Sequence, residues 1–495
     1  MSAPAAPQRY YRAPCPACGA PVEFKSAQSA YAVCAYCHST VVREGDALKR
    51  IGKMAELFDD HSPLQLGAAG QIDGQGFQLV GRLQYKYAQG TWNEWHALMA
   101  SGSSAWLSED NGAYVFSRPI EAQREVPPAD RFHVGATTAL NGQTYAVSSH
   151  IEAALIAAQG ELPRLPELGA PFVVVELRTQ GGDAAAQRVF SVEYGTTPPS
   201  LSDGRAVQLA DLQLSGLQDE SARQDQGRQF ACPNCGAPVQ PLLAQSKSIT
   251  CPQCQTLIDL GAGIGGELRH AVQHEPVQPL IALGSTGRLE GVDWQVVGFQ
   301  HRLGQSAGDD ESFGWQEYLL YNRQQGFCFL VDSEDGWSLV RTLTGAAKLL
   351  NGGQRAEYDL RTYSRQWQYR AETSFVLGEF YWQVQQGQVT QNSDYISGGR
   401  QLSSEQGGGE ITWSGGYRID AQTVAQAFKL QPTALRADAA PFSAAPSLSI
   451  GTILFGLFVI LIVLILISRC SDDENTSGRS SGGSFGGYSS GGSHK

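Results

Sequence analysis

Along most of the chain the apolar residues fall in short runs with a period of two. FQLVGRLQYKY (77–87), AYVFSRP (113–119) and FVVVELR (172–178) lie in one half, and WQVVGFQHRL (294–303), EYLLYN (317–322), FCFLVD (327–332) and YWQVQQG (381–387) in the other. Alternation, aromatic and β-branched side chains, and Gly, Asn or Asp between runs predict antiparallel strands. The fold class is therefore expected to be mainly β. Helical spacing is predicted in two places only: 46–59 (DALKRIGKMAELFD), and 420–429, which begins on the N-cap-type Asp420. Two stretches without apolar periodicity, 215–228 and the Pro/Ala-rich 429–447, read as linkers.

One segment breaks the pattern altogether. From Ile450 to Ile467 there is no charged residue, and Thr452 is the strongest polar group. Extended over 448–468, a helix of about 31 Å would cross a hydrocarbon core of ~30 Å. A core helix rarely needs an apolar surface all round, so a C-terminal transmembrane α-helix is expected. The remainder, 469–495, carries Asp472, Asp473 and Glu474 and then Gly and Ser, a composition that cannot bury a core and predicts disorder.

The chain also repeats itself. CPACGAPV at 15–22 and CPNCGAPV at 232–239 match at seven of eight positions, with an offset of 217. Leu66-Gly67 and Gly70 match Leu283-Gly284 and Gly287, and Phe77-Gln-Leu-Val-Gly81 matches Trp294-Gln-Val-Val-Gly298. After a six-residue insertion in the second copy, Trp92-Asn-Glu94-Trp95 aligns with Trp315-Gln-Glu317-Tyr318, and later Gly160-Glu161 with Gly378-Glu379. A duplicated unit follows: ribbon 1 at 12–42, β domain 1 at 62–214, ribbon 2 at 229–260 and β domain 2 at 278–428.

The ribbons are inferred from the cysteines. Eight of the ten form four Cys-x-x-Cys pairs, with fifteen residues between Cys18 and Cys34 and again between Cys235 and Cys251. Two such knuckles bring four thiolates together, so Cys15, Cys18, Cys34 and Cys37 are expected to hold one Zn2+, and Cys232, Cys235, Cys251 and Cys254 a second. A shell of four thiolates leaves no open position, which makes both ions structural. A redox role would need a single pair at a helix start in a βαβ unit, and no such context occurs. His38 follows Cys37, but its counterpart is Gln255, so it reads as a surface histidine. Cys328 reads as a buried strand residue and Cys470 as an inert juxtamembrane thiol.

Charge narrows the choice of partner. With 36 basic and 48 acidic residues the net charge is −12, which speaks against nucleic acid, and neither ribbon carries more than a small basic surplus. The N-terminus lacks the apolar run of a signal peptide. The polar positions kept in both copies are Glu94/Glu317 and Glu161/Glu379. They could serve as acid and base only if they converge, and a carboxylate beside Trp in a strand is more often a hydrogen-bond acceptor. His96 faces Leu319 in the alignment, His133 has no counterpart, and no nucleophile-elbow, metalloprotease, Walker or Rossmann pattern occurs.

These motifs resemble a bacterial family, that of the domain DUF4178, here in tandem. The resemblance rests on Leu283-Gly284 with Gly287, Trp315-x-Glu317-Tyr318, Gly378-Glu379-Phe380-Tyr381-Trp382, Ser393-Asp394-Tyr395-Ile396, and Leu402-Ser-x-Glu405 with Glu410-Ile-Thr-Trp413-Ser. The first copy departs, with Gly160-Glu161-Leu162-Pro163 and Phe190-Ser-Val-Glu-Tyr194 in place of the later motifs. The resemblance implies no activity. It implies an association with bacterial membrane-stress gene sets that also encode phage-shock-type and polyamine-synthesis proteins.

Together these readings favour a non-enzymatic scaffold or binding protein. It would be held at the inner membrane by one helix in the lipid bilayer, with its bulk in the cytoplasm, and would bind proteins of a membrane-associated complex. The alternative is an enzyme with its site in the β domain 2 cleft around Glu317 and Glu379.

Overall fold

The computed structural model describes residues 11–431, apart from 27, 45–46, 55–61, 89, 111–112, 141, 184–185, 219–228, 244–245, 261–267, 309–310 and 323–324. The transmembrane helix expected over 448–468, the tail, Cys470 and most of the second linker lie outside the described residues. Among the described residues no helix is long and apolar enough to cross a membrane.

The alternating runs form strands, and in each copy the strands close into a barrel. In the first copy Gln75–Tyr87, Gly90–Met99, Ser104–Asp110 and Ala113–Ile120 make one antiparallel meander. Gln143–Leu162, Pro171–Thr179, Val189–Glu193 and Ser200–Val207 make a second. The first strands of the two meanders pair with each other, as do the last, so no edge remains in the wall. The second copy repeats this with Val292–Ser306, Phe313–Asn322, Gly326–Ser333 and Gly336–Leu343, followed by Arg361–Phe380, Val389–Ser397, Arg400–Gly407 and Glu410–Ile419.

Two of the repeated motifs meet where the meanders join. Gly81 pairs with Gly160, and Gly298 with Gly378. A Cβ on Gly81 would lie 2.1 Å from the Glu161 carbonyl oxygen, and one on Gly378 would lie 2.3 Å from that of Val297. Gly160 and Gly378 also have φ of +72° and +83°. The crossing therefore admits only glycine, which accounts for the Val-Gly and Gly-Glu pairs in both copies.

The strands of the first meander in each copy bury both faces over their central residues. In the second copy Trp294, Val296, Tyr318, Leu320, Leu330 and Leu339 pack on one side beneath Val424 and Phe428. Trp315, Leu319, Phe329, Val331 and Val340 pack on the other with Leu243 and Leu257 of the ribbon. The helix supplying Val424 and Phe428 is Ala421–Phe428, where Asp420 accepts from the Thr423 amide as the sequence predicts. In the first copy the corresponding cover is one 3-10 turn, Leu209–Leu212.

The helix expected over 46–59 does not form in its described part. Residues Ala47–Lys53 are instead a strand paired with Ser39–Glu44. Leu48 packs into the ribbon core from this strand, and the ladder satisfies more backbone groups than a short isolated helix would. The first linker is also shorter than expected: Ser215 pairs with Ala69, and the Gln218 amide donates to the Pro63 carbonyl.

Candidate metal centres and buried carboxylates

Each ribbon is built from two hairpins with a knuckle at each tip. Tyr11–Pro14 pairs with Pro21–Phe24 and Tyr31–Val33 with Ser39–Glu44; in the second ribbon Phe230–Ala231 pairs with Pro238–Val239 and Ser248–Thr250 with Leu257–Asp259. The residue after each knuckle turns through positive φ: Gly19 (77°) and Gly236 (74°), but also His38 (57°) and Gln255 (58°). His38 thus occupies a turn position, and its Nδ1 and Nε2 are not part of the sulfur cluster.

The turns gather the eight thiols into two clusters, Cys15, Cys18, Cys34 and Cys37, and Cys232, Cys235, Cys251 and Cys254, each with its sulfurs within 4.8 Å of one another. Cys15 and Cys37 stand 3.8 Å apart, and Cys18 and Cys34 3.7 Å. The pairs Cys232–Cys254 and Cys235–Cys251 are both 3.7 Å apart. These separations are far beyond a disulfide of ~2.05 Å, whereas a tetrahedron with sulfur bonds of ~2.3 Å has an edge of about 3.8 Å. The donors therefore fit a tetrahedral metal ion. The Ser39 hydroxyl beside Cys37 lowers that thiol to about 6, and the Thr256 hydroxyl does the same for Cys254, while hydrogen bonds with these thiols raise Cys18 and Cys235 to about 12, so one thiol of each cluster loses its proton first.

Of the four carboxylates singled out by the repeat, Glu161 and Glu379 fasten the ribbons to the barrels. Glu161 accepts from the Lys25 amide at 2.9 and 2.8 Å and from the Ser26 amide at 3.1 Å. Glu379 accepts from the Leu242 amide at 2.7 Å, the Leu243 amide at 2.9 Å and the Ser246 hydroxyl at 2.6 Å. Lys25 and Leu242 are equivalent at the repeat offset, so this is one clasp made twice. Beside it, Tyr31–Val33 adds to the barrel strand at Gly160–Leu162, and Ser248 and Ile249 add to Phe380 and Glu379.

Glu94 and Glu317 are also committed to hydrogen bonds and ion pairs, in networks that differ between the copies. Glu317, 1% exposed, accepts from Trp315 Nε1 at 2.7 Å and from Gln300 Nε2, with Arg302 at 3.9 Å. Arg302 lies against Trp315 and reaches Glu405 at 2.9 Å and Thr390 at 2.7 Å. Two strands separate Arg302 from Glu405 around the wall, so this contact crosses the barrel interior.

The first copy has Tyr85 where the second has Arg302, and Tyr85 stacks on Trp92 at 4.9 Å. Its cation comes instead from Arg164, at the position of Trp382, which pairs with Glu193 and lies 3.3 Å from Glu94. Burial, together with the neighbouring Glu193, raises Glu94 to about 8. One cation facing two carboxylates is neutral only when one of them is protonated.

A raised carboxylate weakens the fold as pH rises. Between the unfolded value near 4.5 and about 8, the native state holds a proton that the unfolded chain has lost, so stability falls across that window. Glu94→Gln is expected to flatten this fall. Thermal midpoints measured from pH 5 to 9 check it, and parallel curves for variant and parent would refute it.

The remaining candidates have structural surroundings. His96 is fully buried between the Glu161 carbonyl and the Ser104 hydroxyl, each 2.9 Å from a ring nitrogen, and burial lowers it to about 4. His133 is exposed. Burial raises the Cys328 thiol to about 12, as befits an inert strand residue. Among the described residues Glu317 and Glu379 share no hydrogen-bond partner. Neither lines the hollow beside Lys25, Phe77 and Met99 or the one beside Arg205, Thr344 and Tyr358. Sequence reasoning missed Arg164, Glu193, Arg302 and Thr390, because matching positions across copies hides groups whose partners have moved.

No curated protein and no solved structure matches the chain. The model of one family does, that of the domain of unknown function DUF4178, at residues 65–209 and 282–421. The two matches coincide with the two barrels and together cover more than half of the sequence. The chain therefore belongs to the DUF4178 family, with two copies of the domain in tandem.

Proposed function

We propose that the protein is a membrane-anchored, non-enzymatic scaffold in which two zinc ribbons and two barrels present binding surfaces to proteins of a membrane-associated complex. The observation that carries this reading is the use of the four repeated carboxylates. Each is taken up by backbone amides, an indole or a guanidinium, which leaves none aimed at a site where a substrate would sit. Zinc is the metal that suits two closed all-thiolate shells, where it contributes to folding rather than chemistry. A role in a bacterial membrane-stress system follows from the family resemblance alone.

The anchor is the apolar segment 448–468, and the ribbons and barrels lie on the cytoplasmic side of the inner membrane. Thiolates that must stay reduced to bind zinc need a reducing compartment. Affinity purification from native membranes followed by mass spectrometry tests the scaffold reading. Recurrent capture of the same membrane-associated proteins is expected, and a preparation free of partners that turns over a small molecule would overturn it. Deleting 448–495 is expected to move the protein into the soluble fraction. Sedimentation of that truncation with membranes after a high-salt wash would refute the anchor.

A further inference from the structure

The two ribbons are alike in sequence, yet among the described residues the second carries a side-chain bond to the other copy's barrel that has no counterpart in the first. The difference lies in one side chain. Lys247 stands where the first ribbon has Ala30, and the backbone around both is the same: the Arg43 amide donates to the Ala30 carbonyl, and the Leu260 amide to the Lys247 carbonyl. The Lys247 amide is in turn held by the Phe380 carbonyl of its own barrel at 2.8 Å. From this fixed point the side chain, 14% exposed, crosses to barrel 1. There its ammonium donates to the Thr91 carbonyl at 2.6 Å and lies 3.4 Å from Asp110. Gly90 makes room for it, since a Cβ there would lie 2.9 Å from Lys247 Nζ.

Direct contacts between the barrels complete the seam. The Gly181 amide donates to the Ala346 carbonyl at 3.0 Å, the His150 amide to the Gly409 carbonyl at 3.1 Å, and the Leu360 amide to the Gly182 carbonyl at 3.2 Å. The Ala346 amide also donates to the Thr179 carbonyl at 3.4 Å and Arg178 Nη1 to the Leu343 carbonyl at 3.3 Å, and Ser149 pairs with Glu410. Among the side-chain contacts of this seam, Lys247 adds a partly buried, charge-assisted bond from a rigid point.

We propose that the second metal centre is a clamp that docks the two barrels through Lys247, whereas the first serves only its own barrel. Lys247 lies four residues before Cys251, on the chain entering the Ser248–Thr250 strand. Its position therefore depends on the closed four-cysteine shell, and loss of that metal frees the lysine and loosens the seam. The clamp rests on the reading of both clusters as metal sites.

Hydrogen exchange on the full chain in detergent tests it, with metal content measured in parallel. Lys247→Ala keeps the metal and should speed exchange in peptides covering 90–99, 104–110 and 179–182 about tenfold, as expected for losing a hydrogen bond to a charged group. Lys247→Arg should recover part of the protection. Cys232→Ser should reproduce the effect at the seam, and Cys15→Ser should leave 179–182 unchanged. Unaltered exchange at the seam in Lys247→Ala overturns the clamp whatever the metal content. Equal loosening by Cys15→Ser and Cys232→Ser overturns the division of labour. Absence of metal from the parent protein would sink the metal reading but leave the lysine arm to be judged separately.

Discussion

Glu379→Ala is expected to destabilise the second ribbon and its barrel together, by about 2–3 kcal/mol, because it removes the shared acceptor of three donors, one of them buried. The carboxylate is 5% exposed and takes the Leu242 and Leu243 amides and the Ser246 hydroxyl. Alanine leaves the buried Leu243 amide with nothing to accept it, while water can reach the partly buried Leu242 amide and Ser246 hydroxyl, and the cost of an unpaired buried donor exceeds the net gain of the bond when made. Glu379→Gln keeps one acceptor but turns an NH2 group towards the same donors, so it should fall between the parent and the alanine variant. Glu161→Ala should act alike on the first ribbon through Lys25 and Ser26. Urea midpoints measure the global loss, and exchange across 240–247 or 23–29 shows whether the ribbon tip has been released. A Glu379→Ala protein within about 0.5 kcal/mol of its parent would mean that the clasp is incidental.

The clasp also shows which parts of the architecture could be read in advance. Period-two runs, the four-cysteine spacing and the offset of 217 give two ribbons alternating with two β domains, because each reflects short-range geometry that the sequence carries directly. Closure of each sheet into a barrel does not follow from alternation, which looks the same in an open sheet. The sign of it lay in glycines kept at 81, 160, 298 and 378, whose meaning emerges only when the two strands are seen to cross. Glu161 and Glu379 were visible as a repeated pair, but their donors are main-chain amides, which leave no trace in a sequence. Over 47–53 the apolar spacing of Leu48, Ile51 and Met54 suits a helix, but pairing with Ser39–Glu44 decides the outcome. Arg164 and Arg302 supply similar charge from different strands, and comparing copies position by position conceals such an exchange.

Removing the metal should have the largest effect of all. The protein is expected to carry two zinc ions per chain, since eight thiols form two clusters whose sulfur separations match a tetrahedral shell. Structural zinc sites bind with about 10–16 kcal/mol at pH 7, and that energy is folding energy wherever the site is absent from the unfolded chain. Here the loss would spread beyond the ribbons. Cys34 follows the strand Tyr31–Val33, which extends the barrel at Gly160–Leu162, and Cys251 follows the strand that pairs with Phe380 and Glu379. A chelator should therefore lower the unfolding midpoint of the whole protein, and acid should do the same as protons compete for the thiolates. Cys15→Ser should retain one zinc and Cys232→Ser the other, because the two shells share no ligand. Elemental analysis giving one metal or none in the parent protein, or a chelated protein with an unchanged midpoint, would overturn the assignment.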